Sequence, residues 1–480
     1  MAGLPQERSA CDPGRDRPAD LSGNPLTRRL AKTLAAPIRR ALARFSAFSP
    51  AARQFLAYAL LIGIGWAIFN LVFNLYMSAL GFSNDVIGLF NSLPAVALLL
   101  VGIPFAAMAD RIGYRVFLLG GGAVAVLASL VLTLVGSRLI AVLAAGTFAL
   151  AVIVLQVLGS PLLAQVSGEN ERVALFALNQ SISWAAALVG DVLGGIIPEA
   201  AARLMHTSSG SAPAIRSSFV AMTILTVLSL PFLVRLSRAA RLKPAAAFPV
   251  RELLKIDLAR FGRILLPGLV LGIAAGMYLN FTQLYLAQRF GLTPGPIGVI
   301  FAAGAALTAI VTLAAPAVGR RFGITRTVGV SQVIGAPLVL ALAFIMVLPL
   351  AVVIMTVRQL VLNVQGPLGQ VFGMEYVDAR ERARLATAQV VVSGIGVGGI
   401  GPLVSGFLQV RGGYQLAFSV SAVFYLLAGV IYLLLFGRTV FLPSAPQTPK
   451  RAGRGPANCP RCRETTLPSH IRDRRCRGWS

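Results

Sequence analysis

Residues 55–80 read FLAYALLIGIGWAIFNLVFNLYMSAL, a block of 26 residues without one charged side chain. A helix needs about 20 apolar residues to cross the hydrocarbon core of a bilayer, so this block predicts a transmembrane helix. Similar blocks follow at residues 86–108 and 116–135. The whole chain is 56% hydrophobic and 12% charged, with a mean hydropathy of +0.77, which a water-soluble globule could not bury. The sequence therefore predicts a polytopic, all-α membrane protein.

Apolar blocks divided by charged or Gly/Pro residues predict twelve spans. In chain order, spans 1 to 12 lie at 55–80, 85–108, 116–136, 139–163, 173–198, 217–236, 264–287, 296–318, 327–347, 350–374, 385–409 and 414–437. They divide the chain into a basic N-terminal tail (1–54), a first six-helix bundle (55–236), a linker (237–263), a second six-helix bundle (264–437) and a basic C-terminal tail (438–480).

The basic residues predict the orientation, because Lys and Arg accumulate in cytoplasmic loops. The loops on one side hold Arg111, Arg115, Arg172, Arg320, Arg321, Arg326, Arg380, Arg382, Arg384 and the basic segment 235–263. The opposite loops hold only Arg138, Arg203, Arg216, Arg289 and Arg411. We therefore expect the linker and both tails to be cytoplasmic. The net charge of +26 is spread over span ends and tails rather than one face, which argues against a nucleic-acid partner.

The two predicted bundles repeat one another, as the halves of many transporters do. Short motifs of the first half return about 210 residues later: Asn74-Leu-Tyr76 as Gln283-Leu-Tyr285, Gly81-Phe-Ser as Gly291-Leu-Thr, Ile87-Gly88 as Ile297-Gly298, Glu171-Arg172 as Glu381-Arg382, and Gly190 with Gly194-Gly195 as Gly401 with Ser405-Gly406. The paired motifs occur in the same order in both halves and are separated by nearly the same number of residues. This repeat predicts two pseudo-symmetric bundles.

A motif between spans 2 and 3 carries a family resemblance. Residues 106–115 read Ala-Ala-Met-Ala-Asp-Arg-Ile-Gly-Tyr-Arg, which resembles the major facilitator superfamily signature Gly-x-Leu-Ala-Asp-Arg-x-Gly-Arg-Arg. The stretch keeps Asp110, Arg111, Gly113 and Arg115, whereas Ala106, Met108 and Tyr114 depart from the signature. The resemblance covers residues 55–437 and implies two bundles that rock about a central site. It also implies a conformational latch at Asp110, Arg111, Gly113 and Arg115; a helix cap at Asp110 is the alternative.

A second motif lies in span 5. Gly190-Asp191-Val-Leu-Gly194-Gly195 resembles the Gly-Pro-x-x-Gly-Gly motif of antiporters of this family, with Asp191 in place of Pro. In span 11, Gly401-Pro402-Leu-Val-Ser-Gly406 keeps the Pro. This resemblance favours export over import. Small residues also let helices approach closely, so helix packing is the alternative role for these positions.

Two ionisable residues lie well inside spans, Asp191 in span 5 and Arg358 in span 10. Such groups cost about 2.5 to 3.5 kcal/mol at a helix centre, so each is a functional candidate. The resemblance places spans 1, 4, 7 and 10 around the cavity, and so Arg358 beside substrate. Three roles stay open for Arg358: binding an anionic substrate, pairing with Asp191, or snorkelling to the outer surface. Asp191 is a candidate proton carrier or a paired structural residue.

Polar side chains predict the cavity lining. Trp66, Asn70 and Asn74 recur every four residues and share one face of span 1. The other candidates are Gln156 in span 4, Tyr278, Asn280 and Gln283 in span 7, and Gln359 and Asn363 in span 10. Amides also hold helices together, which is their alternative role. An amide and aromatic lining suits a neutral or amphipathic organic solute better than a metal ion.

Several other classes of function lack their motifs. The chain has no Gly-x-x-x-x-Gly-Lys-Ser/Thr loop, so we expect an ion or solute gradient to supply the energy. Cys459 and Cys462 form one close pair near His470 and Cys476, short of the two pairs typical of a zinc site. We expect no metal, no cofactor and no enzymatic activity.

These observations predict a secondary active transporter of a small organic solute that works by alternating access, with export of a drug or metabolite favoured and protons as the candidate coupling ion. An importer of the same fold and a non-transporting receptor or scaffold are the alternatives. We expect a monomer in the inner (plasma) membrane of a bacterium, with the solute and the lipid bilayer as its partners.

Overall fold

The computed structural model describes residues 48–97, 108, 113–166, 172–239, 258–377 and 382–437. Across these ranges the chain is helical, without strands, and ten helices are long and apolar enough to cross a membrane. The predicted tails lie almost wholly outside the described residues, as do most of the linker and the latch residues Asp110 and Arg111.

The first half folds into one helix for each of spans 1 to 6. These are α1 (Pro50–Ala79), α2 (Asn84–Ala97), α3 (Tyr114–Leu134), α4 (Arg138–Val166), α5 (Arg172–Met205) and α6 (Ala212–Ala239). Ser49 begins α1, because its Oγ accepts a hydrogen bond from the Ala52 amide at 3.2 Å and Pro50 follows it. Span 2 was predicted to reach residue 108, and its described helix ends at Ala97.

In the described residues of the second half there are seven helices for six spans. These are α7 (Leu258–Leu279), α8 (Thr282–Phe290), α9 (Pro294–Phe322), α10 (Ile324–Phe344), α11 (Leu348–Tyr376), α12 (Arg382–Ile395) and α13 (Gly401–Phe436), with a π-helical turn at Gly396–Ile400. The apolar run Ala388–Phe436 has 49 residues. Its length, about 70 Å, is more than twice the bilayer core. Non-helical backbone at Gly412 and Gly413 bends α13 and separates span 11 from span 12.

Span 7 differs from the prediction because it is broken between α7 and α8. The Asn280 side chain donates to the backbone oxygens of Gly276 at 3.0 Å and Val397 at 2.9 Å. The Phe281 amide turns to Tyr278 O at 3.2 Å, one residue short of the helical partner. A polar side chain that competes for backbone groups explains the break. The break in span 7 accounts for the extra helix, and the prediction of twelve spans is confirmed.

The two halves share their turns as well as their helices. Gly81 and Gly291 have φ of 83° and 67° after spans 1 and 7, and Gly113 and Gly323 have φ of 107° and 81° before spans 3 and 9. The members of each pair lie 210 positions apart. Positive φ favours glycine, so each repeated glycine serves the same turn in both bundles. The predicted pseudo-symmetry is confirmed.

Helix packing defines two bundles and two ends. In the first bundle α1 packs against α5 and α6; in the second α13 packs against α7 and α10; α2 meets α13 and α5 meets α9 between them. The hairpin end carries the turns at 80–83, 206–211 and 291–293, and the linker end carries the start of α1 and the end of α6. Ser49 Oγ donates to Val166 O at 3.2 Å at the linker end.

Candidate functional site

The bundles approach each other closely at two glycine contacts in the half of the molecule near the hairpin end. A Cβ added to Gly88 would lie 2.5 Å from Pro402 O and 3.1 Å from Gly406 Cα. A Cβ added to Gly298 would lie 3.0 Å from Gly195 Cα and would contact the backbone oxygen of Asp191. Gly88 and Gly298 are equivalent in the repeat, as are Gly195 and Gly406. The two contacts are therefore related by the pseudo-twofold axis.

The other predicted packing residues lie within single bundles. Gly190 is so close to α1 that an added Cβ would lie 2.7 Å from Ile64 O, and Gly194 faces Leu71 at 3.0 Å. Gly401 lies against α7, where an added Cβ would approach Gly276 Cα to 2.7 Å. Span 5 therefore contacts its own bundle through Gly190 and Gly194, and it contacts the other bundle through Gly195.

Amide side chains at the hairpin end also join the bundles. Asn84 Nδ2 donates to Gln409 Oε1 at 2.9 Å and to Gln288 Oε1 at 3.2 Å. Gln288 Nε2 donates to Ser78 Oγ at 3.2 Å, and the Tyr414 hydroxyl donates to Gln288 Oε1 at 2.8 Å. We did not predict these residues, because amides at the ends of apolar blocks resemble ordinary loop residues.

Four predicted cavity residues of spans 1 and 7 lie together in the amide cavity. This space of about 180 Å³ is lined by Asn70, Asn74, Asn280 and Gln283. Asn74 donates to the backbone oxygen of Asn280, and Gln283 Nε2 donates to Asn70 O at 2.8 Å. Asn91 Nδ2 joins them by donating to Asn74 Oδ1 at 3.0 Å. The sequence signal for Asn91, an amide inside the block 86–108, was available and was missed.

Two other predicted residues lie outside the amide cavity. Trp66 stacks on Phe69 with ring centroids 5.6 Å apart, and its backbone oxygen accepts from Asn70 Nδ2 at 2.8 Å. Gln156 is exposed on α4. Of the latch residues, Gly113 begins α3 and Arg115 is exposed.

Arg358 is a buried cation in contact with two tyrosines. Only 2% of its surface is exposed, about 15 Å along α11 from the hairpin end. Its guanidinium carbon lies 4.2 Å from the Tyr278 ring centre and 5.2 Å from the Tyr425 ring centre, and Nη2 donates to the Tyr425 hydroxyl. Nη1 lies 3.5 Å from Gln359 Oε1, and Nε is buried without a hydrogen-bond partner. Aromatic faces attract a cation but leave its charge in place.

Arg358 has no carboxylate partner among the side chains that the structure describes. The described carboxylates are Asp85, Asp191 and Glu199, and none forms an ion pair with Arg358. Asp85 accepts a hydrogen bond from the Ser83 hydroxyl at the hairpin end. Asp191 lines a separate cavity. In this conformation Arg358 therefore neither pairs with Asp191 nor reaches the outer surface, which leaves anion binding as its open role.

Arg358 lines one of four adjoining cavities, which we call the arginine cavity. The arginine cavity, about 230 Å³, also contains Gln359 and Asn363 and shares Asn363, Gln365 and Ser393 with a cavity of about 510 Å³ toward the linker end. Leu279, which is 38% exposed, lines the arginine cavity, the amide cavity and a third cavity of about 180 Å³.

This third cavity, the aspartate cavity, lies between the bundles. It is lined by Asp191 and Trp184 of α5 and by Tyr278, Thr356 and Gln359 of the second bundle. Trp184 Nε1 is buried and has no hydrogen-bond partner. The described residues contain no group of three or more His, Cys, Asp or Glu that could hold a metal ion. The arrangement offers amides, one cation and one carboxylate around apolar walls, which suits binding of an organic solute.

The chain is similar to known transporters. The family model of the Major Facilitator Superfamily matches residues 55–398. No curated protein sequence matches the chain. A bacterial homologue of the human lysosomal transporter Spinster, in an inward-facing and occupied conformation, is similar with a TM-score of 0.67 at 15% identity, over 82% of this chain and 98% of that chain. A bacterial homologue of the iron transporter ferroportin, inward-facing, has a TM-score of 0.65 at 15% identity over 80% and 98%. The nucleoside transporter NupG has a TM-score of 0.64 at 14% identity over 81% and 99%. At these identities the likeness concerns the fold.

Proposed function

Since the chain belongs to the Major Facilitator Superfamily and has the fold of a secondary transporter, we propose that it moves a small organic solute by alternating access and that it exports this solute. Residues 55–236 and 264–437 rock as two bodies about the four adjoining cavities, joined by a cytoplasmic linker at 237–263. Both tails are cytoplasmic, and the protein acts as a monomer in a bacterial inner membrane.

The contrast between the two ends carries this proposal. Within the described ranges, the hydrogen bonds between the bundles lie in the half near the hairpin end, for example from Gln283 to Asn70 and from Asn84 to Gln409. The 510 Å³ cavity extends the arginine cavity toward the linker end. The basic loops place the linker end in the cytoplasm. A central cavity shut on the outer side and reached from the cytoplasm is one state of an alternating-access cycle.

Export rests on the span 5 motif. Gly190 and Gly194 pack against α1, and Gly195 packs against α9 of the other bundle. Span 5 therefore lies where relative motion of the bundles must be accommodated. Asp191, in the middle of this motif, lines the aspartate cavity, so we propose it as the residue that carries a coupling proton.

Leu279→Trp tests the transport route, because Leu279 lines three of the four cavities and an indole would fill their junction. Leu266→Trp on the same helix is the matched control, since Leu266 is 50% exposed and lines none of these cavities. Strains that overproduce wild type or either variant would be grown against a panel of toxic organic compounds.

The wild type and Leu266→Trp should raise tolerance to the same compounds and lower their content in the cell, and Leu279→Trp should do neither at equal membrane abundance. Higher compound content with the wild type would instead show import. A phenotype that Leu279→Trp leaves intact would favour the receptor or scaffold alternative, which needs no open cavity.

A further inference from the structure

A buried guanidinium needs an anion or a dense set of hydrogen-bond acceptors. Only 2% of the surface of Arg358 is exposed. Of its three guanidinium nitrogens, only Nη2 has a close partner, the neutral Tyr425 hydroxyl. Nη1 is 3.5 Å from Gln359 Oε1, and Nε has none. Asp191, which lines the adjoining aspartate cavity, forms no ion pair with it. A buried charge without a counter-ion is strongly unfavourable, so its retention points to an anion that comes and goes.

The surroundings of Arg358 define the rest of that anion. Apolar side chains form one part of the wall of the arginine cavity: Leu271, Ala275, Leu279, Leu362 and Val397. Asn363, Gln365 and Ser393 supply uncharged hydrogen-bonding groups on the side shared with the 510 Å³ cavity. One cation balances one negative charge, and no second basic side chain lines either cavity. These walls suit a single anionic group on an apolar body.

We propose that the transported solute is an amphipathic organic monoanion whose carboxylate binds Arg358, with its apolar body against the leucine and valine walls of the arginine cavity; this assignment of substrate class rests on the proposed transport function. The carboxylate accepts hydrogen bonds from the guanidinium, and Tyr278 and Tyr425 lie next to that guanidinium. Planar, two-point contact with a carboxylate is the geometry that Arg provides and Lys does not.

Binding to the purified full chain tests the charge requirement without a variant. Octanoate and 4-phenylbutyrate are the anionic probes, and octanamide and 4-phenylbutyramide are neutral analogues of the same shape. The carboxylates should raise the unfolding temperature of the wild type and show saturable binding by calorimetry. The amides should bind about tenfold or more weakly, because a charge-assisted hydrogen bond is replaced by a neutral one.

Variants then assign the charge to Arg358. Arg358→Gln should weaken carboxylate binding about ten- to a hundredfold and leave amide binding unchanged, and Arg358→Lys should be intermediate. Arg411→Gln is the matched control, because Arg411 is an exposed arginine of the same bundle that lies over the Phe407 ring at 4.0 Å. It should bind the carboxylates as the wild type does.

Equal affinity of the wild type for acids and amides would overturn the proposal, as would the absence of carboxylate binding. So would a monodisperse Arg358→Gln variant that binds carboxylates like the wild type. Transport is judged separately in proteoliposomes. Carboxylate binding without flux would contradict the transport function and keep the anion site, whereas flux of neutral solutes alone, unchanged in Arg358→Gln, would keep transport and overturn the anion site.

Discussion

At the scale of single residues, Arg358 and Asp191 are the two ionisable groups deep in the membrane, and the structure separates them. Tyr278 and Gln359 line the aspartate cavity together with Asp191, and the Tyr278 ring also lies 4.2 Å from the Arg358 guanidinium. Tyr278 thus contacts Arg358 and lines the cavity of Asp191. Each group therefore has to be explained by its own cavity rather than by the other.

We expect that Asp191→Asn does not rescue the stability that Arg358→Gln loses. Removing one member of a buried ion pair costs about 3 to 5 kcal/mol and is rescued when the second member is neutralised. Because no ion pair joins these residues, the double variant should unfold at a temperature no higher than that of the less stable single variant. Thermal unfolding and membrane yield of all three variants would measure this. Recovery in the double variant would show that the residues pair in another state of the cycle.

Asp191→Asn should separate coupling from solute movement. If the Asp191 carboxylate carries a proton, the amide removes the titratable site, so transport driven by a pH gradient should fall at least tenfold while exchange of labelled for unlabelled solute continues. Proteoliposomes with an imposed gradient would measure both rates. Glu199→Gln is the control on the same helix, because Glu199 accepts from the Gly295 amide at 3.2 Å and lies outside the four cavities. Gradient-driven transport retained in Asp191→Asn would remove the proton role.

At the scale of helices, the two glycine contacts bring α2 against α13 and α5 against α9. In each contact a side chain would meet backbone of the other bundle, which cannot rotate away as a flexible side chain can. The contacts are related by the repeat, so they close the two sides of the hairpin end together. Small residues at both positions let the bundles approach and separate without a change in side-chain conformation.

Gly298→Val should shift the protein toward a state open at the hairpin end, because the new side chain would collide with the α5 backbone. Asn70→Cys, placed in the amide cavity of a chain whose four native cysteines are replaced, would report this by its rate of labelling with a membrane-impermeant thiol reagent from outside. The rate should rise several-fold. Gly146→Val is the control, since a Cβ there meets nothing within 4 Å. Equal labelling in Gly298→Val and the parent would mean that the contact does not hold this end closed.

At the scale of the whole molecule, orientation follows from the basic loops. Reporter fusions after Gly168 and after Ser211 should lie on opposite sides of the membrane, with Gly168 cytoplasmic, because Arg172 and the 235–263 segment belong to the more basic side. Alkaline phosphatase and green fluorescent protein fusions would measure this. The same side for both fusions would contradict the order of spans, and a reversed result would turn the cavity opening away from the cytoplasm.

Much of the fold is local and was therefore predictable. A spanning helix satisfies its own backbone hydrogen bonds in lipid. Each span can therefore be recognised from its own run of apolar residues. The glycines at positive φ, such as Gly81 and Gly291, likewise appear as a repeat in the sequence because each serves its own turn. The amides of the amide cavity and Arg358 were predictable as candidates for the same reason: each is costly in lipid wherever its helix lies.

The partners of these residues were decided only by the tertiary structure. In lipid both the lipid-facing and the protein-facing sides of a span are largely apolar, so the hydrophobic pattern does not record which neighbour each helix face meets. The contact of Arg358 with Tyr425, 67 positions away, the contact of Gly88 with Gly406, and the break of span 7 where Asn280 reaches Val397 all depend on how separate helices pack. The sequence by itself determined the membrane class, the twelve spans and their repeat, and packing between the bundles determined the cavities and the end at which they close.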